Sequence, residues 1–457
     1  MLKILLVLLS ILLSSCSFDN KTGIWKDASK IPVESSGGKS ISEDKSNQRY
    51  EDIFVKNQIF NEEKTSADPK NIIIDEPIKI SNWLEEYALP TNNISNYFYG
   101  EKNILISKSP KLSKFSDKKN FSSRNFIYYQ NNLISYDHKG TVFIYSTETK
   151  KKIFEYNFYR KNFKNFDKEL YLTLDKNNLF IADNLGYLYS INIETKNVVW
   201  AKNYGIPFRS NIKYLNNQIF LANQDNVIYS INAQTGDKNW QFATNLTSLK
   251  TDFKNNLALD EINNNILFLN TSGELYSINY VNQKINWVLN FKNSSLANDT
   301  SLFISFPIII KNENLIVSTE QSVLSYNHLS ATRNWSLPVE PVIKPIITQN
   351  YTYVISKNNL LICINNLSGE IIWSRSLFKE IKSKRSINKI GKFYDFKIVN
   401  NHINIYSNEG YLLSYDNTDG RLLNFKKISR NGINSKVFFI NELMFLIDGT
   451  NRLLKYN

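Results

Sequence analysis

The chain has 457 residues, enough for one large β domain or for two to three domains of average size. Aromatic residues make up 13% of the chain, and the formal net charge is +13. The Lys residues that carry this charge are scattered among Asn and Asp residues rather than clustered, so the charge pattern argues against nucleic-acid binding.

The N-terminus has the pattern of an export signal. Lys3 precedes an apolar run from Ile4 to Leu13, which is too short to span a bilayer stably. The run ends in LSSC, with Cys16 last, and this resembles the bacterial lipoprotein box, in which a lipidated Cys becomes the first mature residue. Residues 1–15 are therefore predicted to be a lipoprotein signal peptide, with Cys16 lipidated. An ordinary signal peptide with an incidental Cys is the alternative.

Ser17 follows the Cys that is predicted to carry lipid. In well-studied bacteria an Asp at that position retains lipoproteins at the inner membrane, so the resemblance implies the periplasmic face of the outer membrane. The other Cys, Cys363, would have no disulfide partner, and its setting in LLICIN indicates a small core residue. Residues 16–70 are rich in Ser, Lys, Glu, Asp and Asn, which predicts a disordered tether.

Residues 71–457 are predicted to form one repeat domain. The clearest copies of its motif are GYLYSINIETKNVVW (186–200), NVIYSINAQTGDKNW (226–240) and GELYSINYVNQKINW (273–287). A period of about 38 to 51 residues indicates a repeat architecture. Eight copies begin at Gly140, Gly186, Asn226, Gly273, Gln321, Asn359, Gly410 and Asn451.

Each repeat unit reads as four short antiparallel strands joined by polar turns. In the best unit the strands are NIKYLN, QIFLAN, VIYSINA and DKNWQFA, and Asn216-Asn217 between the first two is a hairpin signal. A short polar residue six positions into the motif is expected to start the last turn, in which Gly236, Gly369 and Gly420 favour a left-handed backbone. This pattern is typical of a β-propeller blade, so the predicted fold class is all-β.

Most copies of the motif end in a Trp that we expect to pack against the next blade. A buried Trp contributes roughly 150–250 Å² of apolar area. The first copy has Phe154 at this position and the seventh has Asn424. The second to sixth copies have Trp200, Trp240, Trp287, Trp335 and Trp373, and the chain ends before the eighth copy reaches this position.

The last unit supplies three strands before the chain ends at Asn457. Because a closed ring leaves no exposed sheet edge, its fourth strand should come from before the first blade. The segment IKISNWLEEY, around Trp83, is the predicted closing strand. The prediction is therefore an eight-bladed propeller closed by an N-terminal strand. Seven blades, with the unit at Gly140 irregular, is the alternative, and residues 89–121 have no assigned role.

The order of Asn or Asp, a turn, Gly and Trp, clearest in NAQTGDKNW, NNLSGEIIW and DNTDGRLLNF, resembles the repeat of pyrroloquinoline-quinone (PQQ) enzymes. Two groups share this repeat: the quinoprotein dehydrogenases and the BamB-type outer-membrane assembly lipoproteins, which carry no cofactor. PQQ alcohol dehydrogenases typically contain two adjacent Cys residues, and this chain has no such pair. The anchor signal, the tether and the eight repeats together resemble the BamB-type family.

No residue pattern in the sequence indicates catalysis. The three His residues, His138, His328 and His402, lie far apart without the spacing of metal ligands. No convergent carboxylate pair, phosphate-binding loop or nucleophile motif is recognisable. We therefore predict no catalytic residue, metal or cofactor. A PQQ-dependent dehydrogenase-like enzyme and a periplasmic carbohydrate-binding propeller are the alternatives.

The BamB-type resemblance implies a non-enzymatic scaffold, monomeric within a complex, that binds the POTRA domains of the barrel protein BamA and assists the insertion of outer-membrane proteins. Family members make this contact through interblade loops on one face, with an Arg after an early blade and acidic residues one blade later. The matching stretches are GIPFRSN, with Phe208 and Arg209, and TSLKTDFKN, with Asp252. For Arg209 the alternative is a solvated loop residue.

Overall fold

The computed structural model describes residues 16–18, 25–27, 59–66, 72–112, 126–159, 163, 165–246, 256–292 and 303–457. The chain divides into two compact units, residues 1–56 and 57–457. In the first unit, β1 (Cys16–Phe18) pairs with β2 (Trp25–Asp27) as an antiparallel hairpin. Among the described residues no helix is long and apolar enough to cross a membrane.

The second unit is a ring of eight antiparallel four-stranded sheets, the blades of a β-propeller. Its first strand in the chain is β3 (Leu105–Lys108). Blade 1 contains β4 (Ile127–Tyr129), β5 (Asn132–Tyr136), β6 (Thr141–Ser146) and β7 (Lys151–Asn157). Blade 2 contains β8 (Leu170–Asp175), β9 (Asn178–Asp183), β10 (Tyr187–Asn192) and β11 (Asn197–Asn203). Blade 3 contains β12 (Lys213–Leu215), β13 (Gln218–Ala222), β14 (Val227–Asn232) and β15 (Lys238–Ala243).

The remaining blades follow the same order from the first strand, nearest the ring axis, to the fourth, at the rim. Blade 4 contains β16 (Asn256–Asp260), β17 (Asn265–Leu269), β18 (Glu274–Asn279) and β19 (Lys284–Asn290). Blade 5 contains β20 (Ile309–Lys311), β21 (Asn314–Ser318), β22 (Val323–Asn327) and β23 (Arg333–Leu337). Blade 6 contains β24 (Ile346–Ile347), β25 (Tyr351–Ile355), β26 (Leu360–Asn365) and β27 (Ile371–Ser376). Blade 7 contains β28 (Phe393–Val399), β29 (His402–Ser407), β30 (Tyr411–Asp416) and β31 (Leu422–Lys427).

Blade 8 is completed by a strand from the other end of the chain. Its first three strands are β32 (Phe438–Ile440), β33 (Leu443–Ile447) and β34 (Leu453–Tyr456). The described residues also include two short helical segments, a 3₁₀ turn at Glu86–Ala88 and α1 (Lys384–Ile387). The unit at Gly140 is a regular blade, so eight blades are confirmed and the seven-bladed alternative is wrong.

Because strands alternate in direction within a blade, the ring has two chemically different faces. The turns between strands one and two and between strands three and four lie on one face, which we call the turn face. The turns between strands two and three lie on the opposite face, together with the loops that connect consecutive blades. We call this second face the loop face.

The two middle strands of each blade are the most completely buried, because they are covered by the neighbouring blades on both sides. Strand β10 has four consecutive buried residues, and β14 and β18 repeat this pattern. The buried apolar residues of neighbouring blades form shared clusters, such as the one that joins β9 of blade 2 to β13 of blade 3. Burying apolar surface stabilises a fold by roughly 25 cal/mol per Å². This stabilisation is therefore distributed around the whole ring.

The predicted turn chemistry is present in successive blades. The side-chain oxygen of Asn232 accepts hydrogen bonds from the backbone N–H groups of Gln234 and Thr235, at 2.9 and 3.2 Å. Asn192, Asn279, Asn327 and Asn365 form the same pair of bonds in their own blades. The turn closes when the N–H group of the residue four positions on bonds back to the carbonyl of the Asn, as from Gly236 to Asn232 at 2.9 Å.

Four of the five motif Trp residues dock onto this turn in the next blade through an indole hydrogen bond. The indole N–H of Trp200 donates to the carbonyl of Ala233 at 3.0 Å, and that of Trp335 donates to Asn366 at 2.8 Å. The ring of Trp200 lies against Gly236, where an added Cβ would stand 2.4 Å from the ring. Gly236 has φ +73, so the motif needs Gly here for both backbone conformation and space. Equivalent indole bonds join Trp287 to His328 and Trp373 to Asn417.

The strand that closes the ring was predicted wrongly. The edge of β34 pairs with β3, with Leu105 opposite Tyr456 and Lys108 opposite Leu454, and not with the segment around Trp83. The ammonium of Lys108 also lies 3.0 Å from the fully buried carboxylate of Asp448. The principle of closure by an N-terminal strand is confirmed, but the strand lies within the segment 89–121 that had no assigned role.

The contacts of the N-terminal region with the propeller begin before residue 71, the predicted start of the domain. Residues 59–66 lie along the rim of blades 5 and 6. Lys64 exchanges two backbone hydrogen bonds with Ser374 of β27, at 3.0 and 2.8 Å, and the N–H of Phe60 donates to Pro338. This part of the predicted tether is therefore an additional strand-like segment on blade 6.

We expect Trp373→Ala to lower the free energy of unfolding by about 3–5 kcal/mol, because the ring is fully buried and its indole bond to Asn417 is lost. Trp240→Ala is the matched control. Trp240 is half-buried and its indole N–H donates to no group in the described part of the chain, so we expect a smaller loss. Urea unfolding followed by circular dichroism measures both. Equal losses would contradict the interpretation that docking on the next blade stabilises the ring.

Candidate functional site

The axis of the ring, where a propeller can gather residues from several blades, is filled by the chain itself. Residues 78–100, which we call the plug segment, contact seven of the eight blades. Backbone hydrogen bonds or bridges run from the plug segment to Tyr128 in blade 1, Leu259 in blade 4, Ile310 in blade 5, Ile398 in blade 7 and Asn441 in blade 8. Side-chain hydrogen bonds add Lys213 in blade 3 and Ile347 in blade 6.

Trp83 belongs to this plug segment and not to a blade. It exchanges two backbone hydrogen bonds with Tyr128, both 2.7 Å long, and its ring is buried against Tyr97, Phe126 and Phe438. The prediction that Trp83 is a blade Trp in the closing strand is therefore wrong, although its side chain is buried in the core. Its position is the axis of the ring, because the chain passes through the centre before it forms β3.

Asn92 is the most central residue of the plug segment. Its side-chain amide donates to the carbonyls of Leu257 and Ile308, both at 2.9 Å, and so joins the first strands of blades 4 and 5. Leu257 lies near the start of β16 and Ile308 directly precedes β20, so Asn92 lies toward the loop face. The carbonyl of Ile80, by contrast, accepts from the N–H of Asn441 in the turn between β32 and β33, on the turn face. The plug segment therefore extends through the depth of the channel.

Two buried lysines hold the tip of the plug segment. The ammonium of Lys213 donates to the carbonyls of Tyr87 and Leu89 and to the side-chain oxygen of Asn92, and Lys344 donates to the carbonyl of Asn92 at 3.0 Å. The pKa of Lys213 is lowered to about 7, mainly by burial; Glu85 opposes this shift and Lys344 adds to it. The axis is thus packed with groups that bind one another.

The first predicted contact loop connects blades 2 and 3 on the loop face. Phe208 was predicted as a contact residue, but its side chain is completely buried between Tyr204 and Tyr229, so it anchors the loop and is not available to a partner. Arg209 is 8% exposed, and its guanidinium lies 3.9 Å from the carboxylate of Glu169.

The accessible part of this loop is its tip, Gly205 to Pro207, which stands next to Arg209. The backbone of the loop is held by hydrogen bonds from Phe208 to the carbonyl of Asp183 and from Arg209 to that of Ala222, at 3.1 and 3.0 Å. The tip is therefore presented on a rigid base. The two residues predicted from this loop, Phe208 and Arg209, are both buried, and the contact role of the loop stays a prediction.

Two further predicted site residues have no side-chain description. Asp252, in the loop between blades 3 and 4, lies outside the described residues. Cys16 lies in β1, of which only the backbone is described. The contact role of Asp252 and the lipidation of Cys16 stay predictions.

The described residues contain no group of three or more His, Cys, Asp or Glu side chains that could hold a metal ion. His328 is buried, with one ring nitrogen 2.8 Å from the carbonyl of Asn312 and the other 3.5 Å from Asp260. His402 is more exposed and lies 3.5 Å from Glu101. Cys363 is a free, fully buried residue, and burial raises the pKa of its thiol, as expected for a core residue.

A sequence model described as outer membrane protein assembly factor BamB matches residues 119–375 and 320–424, which together span more than half of the chain. The chain belongs to the BamB family. The matched region covers blades 1 to 6 and most of blade 7, and it leaves out the plug segment and β3. No curated protein sequence matches the chain.

Solved structures share the propeller fold at low identity. BamB from Moraxella catarrhalis is 11% identical with a TM-score of 0.56, and the match covers 83% of this chain and 99% of that one. The computationally designed Ika8 protein is 10% identical with a TM-score of 0.52, covering 74% and 97%. Quinohemoprotein alcohol dehydrogenase ADHIIG from Pseudomonas putida is 9% identical with a TM-score of 0.55, covering 82% and 80%. These likenesses show the fold alone.

The buried position of Lys213 leads to a prediction about pH. The ordinary lysine pKa is about 10.4, so between pH 7 and that value the unfolded chain binds a proton that the folded chain does not. Lys213 therefore makes the unfolding free energy rise with pH in this window, by at most about 1.4 kcal/mol per pH unit. For Lys213→Met we expect a lower free energy of unfolding at every pH. We also expect this free energy to rise less steeply between pH 7 and 9.5.

Urea unfolding at a series of pH values measures this slope. Lys238→Met, which removes an exposed lysine from β15, is the control and should retain the slope of the unmodified protein. Parallel curves for Lys213→Met and the unmodified protein would show that Lys213 keeps its proton in both states.

Proposed function

We propose that this protein is a non-enzymatic, lipid-anchored scaffold at the periplasmic face of the outer membrane. It binds the POTRA domains of a BamA-like barrel protein and thereby assists the folding and insertion of outer-membrane proteins. Membership of the BamB family supports the assembly role. In this proposal Cys16 carries the lipid and the chain between it and the propeller acts as the tether.

The filled channel is the observation that carries the non-enzymatic part of the proposal. An active site is assembled from groups that converge on one cavity, and in a propeller the blades converge only at the axis. Here Asn92, Lys213 and Lys344 occupy that space and bond to one another. A scaffold needs no such cavity, because its function depends on its outer surface.

The rigid ring favours binding through loops. Partners that bind without rearrangement lose less conformational entropy, and a loop whose base is bonded to two neighbouring strands is pre-organised in this sense. The loop between blades 2 and 3 has this construction, with Ile206 at its tip and Arg209 at its base. We therefore propose that its tip contacts the POTRA domains, with Arg209 holding the tip in place and contributing its charge at the edge of the contact.

The dehydrogenase alternative shares only the fold with the quinohemoprotein. Saturable binding of PQQ together with calcium, measured by calorimetry on the purified protein, would favour the dehydrogenase alternative over the scaffold. No binding is the outcome that the filled channel leads us to expect.

The experiment that tests the proposal is purification of the tagged full chain from its own cell envelope in mild detergent, followed by mass spectrometry. We expect a barrel protein with POTRA domains to be recovered with it. Ile206→Glu places a charge at the tip of the loop, where the side chain is half-buried, and should reduce recovery by about tenfold or more if this is an interface hot spot.

Arg209→Glu is a second variant, and its thermal unfolding must be compared with that of the unmodified protein because Glu169 lies close to the new carboxylate. Arg421→Glu is the matched control, an Arg on the turn face that is largely exposed. Recovery of the barrel protein unaffected by Ile206→Glu and Arg209→Glu would keep the function and reject this loop. Absence of any barrel-assembly component would reject the function.

A further inference from the structure

The contact between blades 3 and 4 differs from the other Trp-mediated contacts of the ring. A groove of about 440 Å³ opens between these two blades on the turn face. Its apolar wall consists of Trp240, the docking Trp of blade 3, with Tyr280 and Val281 from blade 4. Side-chain amides form the rest of its lining: Asn216, Asn217, Gln218, Asn232, Asn239 and Gln283.

The turn in blade 4, at the floor of this contact, has Gln283 at the docking position instead of Gly. The residue that bonds back to the motif Asn is Gly236 in blade 3 and Gly369 in blade 6, and it is Gln283 in blade 4, bonded to Asn279 at 2.8 Å. A Cβ at Gly236 or Gly369 would stand 2.4 Å from the docked Trp ring. Gln283 has such a Cβ, and so does Ala331, the equivalent residue of blade 5. The Trp residues that face these two turns, Trp240 and Trp287, are half-buried, whereas the three that face Gly are buried. Trp287 still forms its indole bond over the short side chain of Ala331, so we attribute the looser packing of Trp240 to the longer side chain of Gln283.

Trp240 shows the consequence. Trp200, Trp287, Trp335 and Trp373 each donate an indole hydrogen bond to the carbonyl that follows the motif residue of the next blade. The equivalent acceptor for Trp240 is the carbonyl of Tyr280, and no such bond forms among the described residues. The indole ring of Trp240 remains half-buried, with its N–H group free at the wall of the groove.

The groove also retains free amide groups. The side chains of Asn216, Asn217 and Gln283 make no hydrogen bond to any described residue. The amide of Gln218 accepts from Ser230 at 2.8 Å and keeps its two N–H donors, while Asn239 donates to Ser230 and keeps its oxygen. Each free amide offers both donors and acceptors, and within the described part of the chain no charged side chain lines the groove.

This combination selects a class of ligand. The aromatic wall can pack against a flat apolar surface of a ligand. The uncharged amides can bind hydroxyl groups both as donors and as acceptors. Because the lining is uncharged, it does not favour an ionic ligand. The volume lies in the range of small-molecule sites. We propose that the groove between blades 3 and 4 binds a neutral saccharide, with one sugar face on Trp240 and the ring hydroxyls on the surrounding Asn and Gln amides.

The saccharide site is independent of the proposed contact with a barrel protein. The groove lies on the turn face, whereas Ile206 and Arg209 lie on the loop face. Binding of both ligands by one molecule is therefore geometrically compatible. A change in the groove should leave recovery of the barrel protein unaffected, so that failure of one proposal is distinguishable from failure of the other.

The test is calorimetric titration of the purified full chain with uncharged oligosaccharides: chitotetraose, cellotetraose and maltotetraose. We expect saturable, submillimolar binding of at least one of them. Gln283→Gly introduces the Gly found in the turns of blades 3, 6 and 7, at a position with φ +61, which Gly adopts without steric cost. Trp240 can then dock on Tyr280 and close the groove. This variant should bind at least about tenfold more weakly and unfold at the same or a higher urea concentration.

Ala331→Gly is the matched control, because Ala331 occupies the same turn position in blade 5 with φ +60. It should leave saccharide binding unchanged. Asn239→Ala, on the exposed rim strand, should weaken binding without affecting the docking of Trp240. The proposal is overturned if none of the three saccharides binds at millimolar concentration, if only a polar peptide binds, or if Gln283→Gly leaves the affinity unchanged.

Discussion

The ring depends on satisfying the inner edges of its first strands. Eight such strands converge on the axis, and each has backbone N–H and C=O groups that no strand of its own blade can pair. Buried backbone groups without a partner destabilise a fold by about the full cost of a lost hydrogen bond. The plug segment meets this requirement by bonding to Tyr128, Leu259, Ile310 and Ile398. The channel is closed because the fold needs those bonds.

This requirement also determines where the molecule can interact with others. With the axis occupied, the surfaces left to a partner are the loop face, the turn face and the rim. The rim of blade 6 already bonds to the N-terminal segment at Lys64. The two faces differ in construction, since one carries interblade loops of variable length and the other carries short turns of nearly constant geometry. On the second face, a groove lies where the long side chain of Gln283 meets Trp240 of the preceding blade.

Local features of the fold could be predicted from sequence, and long-range ones could not. The turn at Asn232 and the packing of Trp200 are repeated in successive units, so each copy supports the others. The closing strand β3 has no repeated counterpart, and it is short and exposed on both sides, so its pairing with a strand about 350 residues away left no periodic signal. The plug segment has irregular backbone, and PTNN at residues 90–93 reads as an ordinary surface loop. At the candidate site, the apolar character of Phe208 already indicated burial.

One stretch of chain near the start of the propeller domain contacts the last blade of that domain. Residues 78–108 cross the axis and then complete blade 8, so a part of the domain that is synthesised early has partners in the part that is synthesised last. Such contacts give a high contact order, which slows folding. Each blade can form its own hairpins as it is synthesised, but the ring can close only after residue 456 has been added. Closure therefore waits for completion of the chain, and a chain that lacks β34 leaves β3 and β33 without the strand that joins them.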